Sequence, residues 1–128
     1  MSIDHRRILL ADDDTEVRLG VADLLTSIGM DVIQAENGTE AVELVRAELV
    51  HAALLDMHMP GFTGIEAVSL IQPERRGLPC IVYSGRWSPD LEEAVLRSGA
   101  RACLKKPVDP DELRYQVRRA LGLIPDMN

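Results

Sequence analysis

Five times along this chain a short, mostly apolar run gives way to a longer stretch with helical spacing. The runs "RILLA" (7–11), "DVIQA" (31–35), "HAALL" (51–55), "PCIVY" (79–83) and "RACL" (101–104) read as strands, the first of the kind buried on both faces. From Thr15 to Ile28, the residues Val17, Val21, Leu24, Leu25 and Ile28 share one helical face, and Gly29 stands where a C-cap belongs. Thr39 is expected to cap a second helix carrying Val42, Val45 and Leu49. A short third helix is expected from about Gly64 to Gln72, and a fourth from Asp90 to Ser98, closed by Gly99. The last opens at "DPDEL", with Asp109 as N-cap and Pro110 at the first helical position, and ends at Gly122. Strands alternating with helices predict parallel βαβ units, an α/β sheet doubly wound by helices on both faces.

These repeats account for all 128 residues as one domain, with no internal repeat, linker or low-complexity tract. Aromatics are only 3%, so the core must be built from Leu, Val, Ile and Ala. A net charge of −7 argues against a nucleic-acid surface, where a basic footprint is expected. The first apolar run after the basic start, "ILLA", stops at "DDD", too short for a signal peptide or a membrane span. A cytoplasmic protein without membrane contact is the expectation. Cys80 and Cys103 lie inside apolar runs and are expected as buried free thiols. His5 and His51 are expected to be solvated, and no zinc-ligand spacing is present.

The polar residues fall with one regularity: they follow the predicted strands. Asp12 and Asp13 follow the first, Asp56 the third, Ser84 the fourth, and Lys105 and Lys106 the fifth. Open parallel sheets bind ligands outside those carboxyl ends. Three carboxylates gathered there repel one another unless a cation neutralises them, and an all-oxygen set suits Mg²⁺. An ammonium and a hydroxyl beside it complete a pocket for a phosphoryl group. Asp56 stands alone at its strand end and is the candidate acceptor, forming an acyl phosphate. Asp12 and Asp13 are the candidate metal pair, and Asp14 the cap of the first helix.

Four pieces in this order, "ILLADDD", "LLDMHMPGFTG", "IVYSG" and "GARACLKKP", resemble the receiver domain of two-component response regulators, of the chemotaxis-response-regulator kind, along essentially the whole chain. The resemblance implies a flavodoxin-like (βα)5 fold with strand order 2-1-3-4-5. It implies phosphoryl transfer from a histidine kinase or phosphotransfer protein to Asp56, with Mg²⁺ (or Mn²⁺ in its place) held by Asp12, Asp13, Asp56 and the Met57 backbone carbonyl. Ser84 and Lys106 match the residues that engage the phosphoryl group; Lys105 is one position early and should point elsewhere. His58 and Arg86 occupy positions that flank the attacking water and so tune lifetime. The face from 84 to 121 is implied to signal to a downstream effector or a detached output domain. The expected unit is a single receiver, 1–128 with a core of about 6–122, because only "LIPDMN" follows Gly122.

The pattern departs from the family at Cys103, where Tyr or Phe is common, and at Val108, where Phe is common. Trp87 is the candidate to replace part of that switch surface. Two other classes compete. A phosphorylation-independent module on the same fold is favoured by Cys103 alone. An Asp-nucleophile phosphatase of the haloacid dehalogenase type needs Asp-x-Asp-x-Thr. With the second Asp at Asp13, Ala11 stands where the nucleophile belongs; with it at Asp14, Glu16 replaces Thr, so neither register works.

Overall fold

The computed structural model describes residues 6–124. The outermost parts of the expected 1–128 domain, residues 1–5 and 125–128, lie outside the described residues, His5 among them. Each strand is followed by a helix: β1 (Arg7–Ala11), α1 (Thr15–Ser27), β2 (Asp31–Ala35), α2 (Gly38–Ala47), β3 (Ala52–Asp56), α3 (Gly64–Glu74), β4 (Cys80–Ser84), α4 (Pro89–Arg97), β5 (Ala102–Lys105) and α5 (Pro110–Ala120). The strands are parallel in the order β2-β1-β3-β4-β5, the flavodoxin-like arrangement expected. The chain changes winding direction between β1 and β3, which opens a crevice at their carboxyl ends.

Successive side chains on a strand point to opposite faces, and that alternation divides the core in two. Ile8 and Leu10, Ala52 and Leu54, Ile81 and Tyr83, and Ala102 and Leu104 pack with Val21 and Leu25 of α1 and Leu113 and Val117 of α5. Leu9, Ala53, Leu55, Val82 and Cys103 pack with Val42 and Val45 of α2, Val68 and Ile71 of α3, and Val95 of α4. Among the described residues, no helix is long and apolar enough to cross a membrane.

Helix starts follow side-chain capping chemistry, with one correction. Asp14 accepts the Val17 N–H, Ser88 the Leu91 N–H and Asp109 the Asp111 N–H. The cap of α2 is Asn37, whose Oδ1 accepts the Glu40 N–H at 2.8 Å; Thr39, expected as the cap, is already helical. Asn satisfies that orphan donor at least as well as Thr does, and Gly38 behind it adopts the first helical turn. Gly29, Gly99 and Gly122 close their helices at positive φ, as their spacing implied.

Strands β3, β4 and β5 each end one residue later than the apolar runs predicted. The polar side chain ends the run but not the ladder: Asp56 pairs with Tyr83, and Ser84 with Lys105. Helix α3 likewise runs past Gln72 to Glu74, with Pro73 in its last turn. His51 was expected to be solvated, but its Nδ1 accepts the Arg7 N–H at 3.0 Å and satisfies the first donor of β1.

The β3–α3 loop lies directly on the start of α2. The Gly38 N–H donates to the Pro60 carbonyl at 3.0 Å, and a Cβ at Gly38 would stand 2.0 Å from the Phe62 oxygen. Gly38→Ala should therefore lower stability by about 1–3 kcal/mol in urea titrations, despite the better helix propensity of Ala. A loss below about 0.5 kcal/mol would mean that the loop yields without strain.

Candidate functional site

Strand alternation brings the site together. Counting on from Ile8 and Leu10, from Ala52 and Leu54, and from Ala102 and Leu104, the same parity reaches Asp12, Asp56 and Lys106. The Lys106 ammonium lies 3.1 Å from Asp12 Oδ2 and 3.1 Å from Asp56 Oδ1. Asp12 is fully buried and Asp56 is 4% exposed, so neither charge is left to water. Asp13 is exposed, and one oxygen from each of Asp12, Asp13 and Asp56 lies within 4.8 Å of the other two. Such a set of hard oxygens, open on one side, can hold a divalent cation that keeps part of its water.

The loop after β3 supplies a further oxygen. The Met57 carbonyl accepts the Gly64 N–H at 2.9 Å, which leaves its second lone pair free. That approach depends on Gly64, where a Cβ would meet the Asp56 carbonyl oxygen at 2.9 Å. The capping box of Thr63 and Glu66 holds the turn.

Ser84 has the opposite parity and is buried at the end of β4. Its Oγ accepts the Arg86 N–H at 3.0 Å, so the hydroxyl engages its own turn rather than the carboxylates. His58 is exposed, and its backbone N–H favours the charged form of the Asp56 carboxylate. Arg86 is exposed as well. Lys105 points away from the site as expected, its ammonium 4.3 Å from the centre of the Trp87 ring. Trp87 is half-buried and shares a cavity of about 440 Å³ with Cys103, Lys105, Glu92 and Glu112. Cys103 is 6% exposed at the floor of that cavity, and burial, with Glu92 adding to it, pushes its thiol up to about 11. Both cysteines are free and buried, as read from the sequence.

Two residues of the site escaped the sequence reading. Tyr83, with no exposed surface, donates its hydroxyl to Asp12 Oδ2 at 2.5 Å, and its ring centre lies 4.7 Å from the Lys106 ammonium. Arg18, 7% exposed, donates to the Asp12 carbonyl at 2.8 Å and to Gln34 Oε1 at 2.9 Å. A signal was there for both. A Tyr inside an aliphatic strand needs a partner for its hydroxyl, and an Arg beside an apolar helix face needs one for its charge.

Comparison with known proteins assigns this architecture. The sequence matches the family described as "Response regulator receiver domain" over residues 8–118. The chain therefore belongs to the response regulator receiver family. It is 29% identical to sporulation initiation phosphotransferase F of Bacillus subtilis, with 93% of this chain and 96% of that protein covered. It is 36% identical to part of the CAI-1 autoinducer sensor kinase/phosphatase CqsS of Vibrio cholerae, where 88% of this chain corresponds to 17% of the relative's length. Among solved structures, a putative response regulator from Chloroflexus aurantiacus superimposes with a TM-score of 0.88 at 27% identity, covering 93% of this chain and 99% of that one.

The charge balance of the site shifts Asp56. Burial, and then the neighbouring Asp12 charge, raise its carboxyl to about 6, against the opposing pull of Lys106 and the His58 N–H. Burial lowers the Lys106 ammonium, but the bonds and charges of Asp12 and Asp56 outweigh it and leave a net rise. A carboxyl whose folded pKa lies above its ordinary 3.8 favours folding fully below that value, and the contribution is lost as pH rises through about 6. In metal-free buffer the stability of Asp56→Asn relative to wild type should thus grow by about 1–3 kcal/mol between pH 4 and 7. Urea titrations in EDTA across that range check it, and a flat difference would contradict the shift.

Proposed function

We propose that this receiver stores a signal as a phosphoryl group on Asp56. The observation that carries the reading is Lys106 bridging two buried carboxylates, Asp12 and Asp56, with Asp13 completing a three-carboxylate set. Membership of the receiver family and the position of Asp56 at the end of β3 support it.

In this reading Asp12, Asp13, Asp56 and the Met57 carbonyl would hold Mg²⁺, with Mn²⁺ able to substitute, and the bound ion would supply positive charge for the phosphoryl oxygens. An Asp56 carboxylate oxygen attacks the phosphorus of a phosphohistidine on a histidine kinase or phosphotransfer protein. The new P–O bond forms as the P–N bond breaks, and the imidazole leaves with the electron pair. Lys106 stays within reach of the new oxygens. Ser84 exchanges its bond to the Arg86 N–H for one to the phosphoryl group. That exchange moves the turn carrying Arg86 and Trp87 and alters the face from 84 to 121, which a downstream effector or detached output domain then reads. Water ends the signal by attacking phosphorus, with His58 and Arg86 flanking its approach. The chain turns over no external substrate in this reading, works in the cytoplasm as a receiver unit with a core of about 6–122, and binds no nucleic acid. The buried Cys103 in place of an aromatic favours one alternative, a module that binds its partner without phosphorylation.

Incubation with a small-molecule phosphodonor and Mg²⁺ should add about 80 Da, one phosphoryl group, to the intact mass of wild type and nothing to Asp56→Asn. Trp87 emission should change in the same sample. No gain in either protein, with Mg²⁺ binding verified, would favour the phosphorylation-independent module. For His58→Ala and Arg86→Ala, phosphoryl decay followed by mass should differ from wild type by more than about twofold in at least one variant. Rates within that margin would make both side chains bystanders.

A further inference from the structure

We infer that Tyr83 is a positioning residue that keeps Oδ2 of Asp12 away from the metal, so that a cation draws on Asp12 through Oδ1 alone. The inference rests on the reading of this pocket as a divalent-metal site.

A carboxylate offers about four lone-pair positions. On Asp12, three are filled. Oδ1 accepts the Asp14 N–H at 2.9 Å, and Oδ2 accepts both the Tyr83 hydroxyl at 2.5 Å and the Lys106 ammonium at 3.1 Å. The backbone of the same residue is fixed by Arg18, which donates to its carbonyl. Only one lone pair, on Oδ1, remains for a cation or for one of its waters. The reach of Tyr83 follows from the sheet. Its strand partner is Asp56 on β3, and its side chain shares the face of Asp12 and Lys106, so the phenol crosses beneath Asp56 to β1. The ring then forms the floor on which the Lys106 ammonium rests.

The arrangement matters when the site changes occupancy. Lys106 is shared between Asp12 and Asp56, and any new oxygens on Asp56 compete for its three donors. Tyr83 is committed to Asp12 alone among the two carboxylates it lies beside, and being fully buried it has no water to turn to. It therefore holds Asp12 in place while Lys106 divides its bonds, at the cost of one acceptor position that a metal would otherwise use.

The test is Mg²⁺ titration by calorimetry of wild type, Tyr83→Phe, Asp12→Asn and the double variant, with urea unfolding of each in EDTA. Tyr83→Phe keeps the ring and removes only the donor. It should bind Mg²⁺ tighter by about three- to tenfold, because one of the two acceptor positions on Oδ2 is freed while Lys106 keeps the other, yet unfold more easily without metal, because a buried carboxylate loses a hydrogen bond. In the Asp12→Asn background the affinity gain should vanish. A merely structural Tyr83 would weaken metal binding and folding together; that result, or unchanged affinity in Tyr83→Phe, overturns the inference alone. Folded wild type that binds no Mg²⁺ overturns both the inference and the metal reading beneath it.

Discussion

Lys106 stands between two carboxylates that could not otherwise share this edge of the sheet. Asp12 and Asp56 end neighbouring strands, both are buried, and like charges in such a place repel strongly unless a cation intervenes. The ammonium touches both. Counting Asp13, three carboxylates face one ammonium, which leaves two negative charges over, the complement of one divalent ion. Much of the surrounding structure serves this arrangement. Strand β5 ends where the Lys106 N–H binds the Ser84 carbonyl, which delivers the side chain to the crevice. Gly64 permits the turn that faces the Met57 carbonyl, and Gly38 permits α2 to support the same loop from below.

What could be read in advance was whatever depends on periodicity or on the chemistry of one residue. Strand and helix alternation, the parallel sheet, and the gathering of Asp12, Asp13, Asp56 and Lys106 at one edge were legible, because a parallel sheet must align its carboxyl ends; the strand order was implied by the family resemblance alone. Local competition between neighbours was less so. Asn37 displaced Thr39 as a helix cap, and three strands ran one residue further because backbone pairing ignores where hydrophobicity stops. Tyr83 was missed for a related reason: a strand position was read for its apolar ring, while the partner of its hydroxyl lay just past the end of β1, two strands away. His51 was misread in the same way, since its acceptor role toward Arg7 exists only once β1 and β3 lie side by side.

The site also draws on both layers of the fold. Asp12, Asp56, Tyr83 and Lys106 belong to the α1–α5 side of the sheet, whereas Ser84 has the parity of Cys80 and Val82 on the α2–α4 side. The crevice is therefore lined from beneath by side chains of one layer, with Ser84 on the other. Recognition there is a property of the sheet edge as a whole, which is why single motifs along the chain are weak and their order is specific.

Lys105 and Lys106 are consecutive, and their side chains leave the strand on opposite faces: one enters the carboxylate cluster and the other lies over Trp87. A single peptide unit thus has one arm inside the protein and one outside. The Lys106 N–H bond to the Ser84 carbonyl fixes that peptide at the end of β5. A half-buried tryptophan on the outer surface and a buried carboxylate cluster are in this way contacted by side chains one covalent step apart, with no chain of intervening side chains between them.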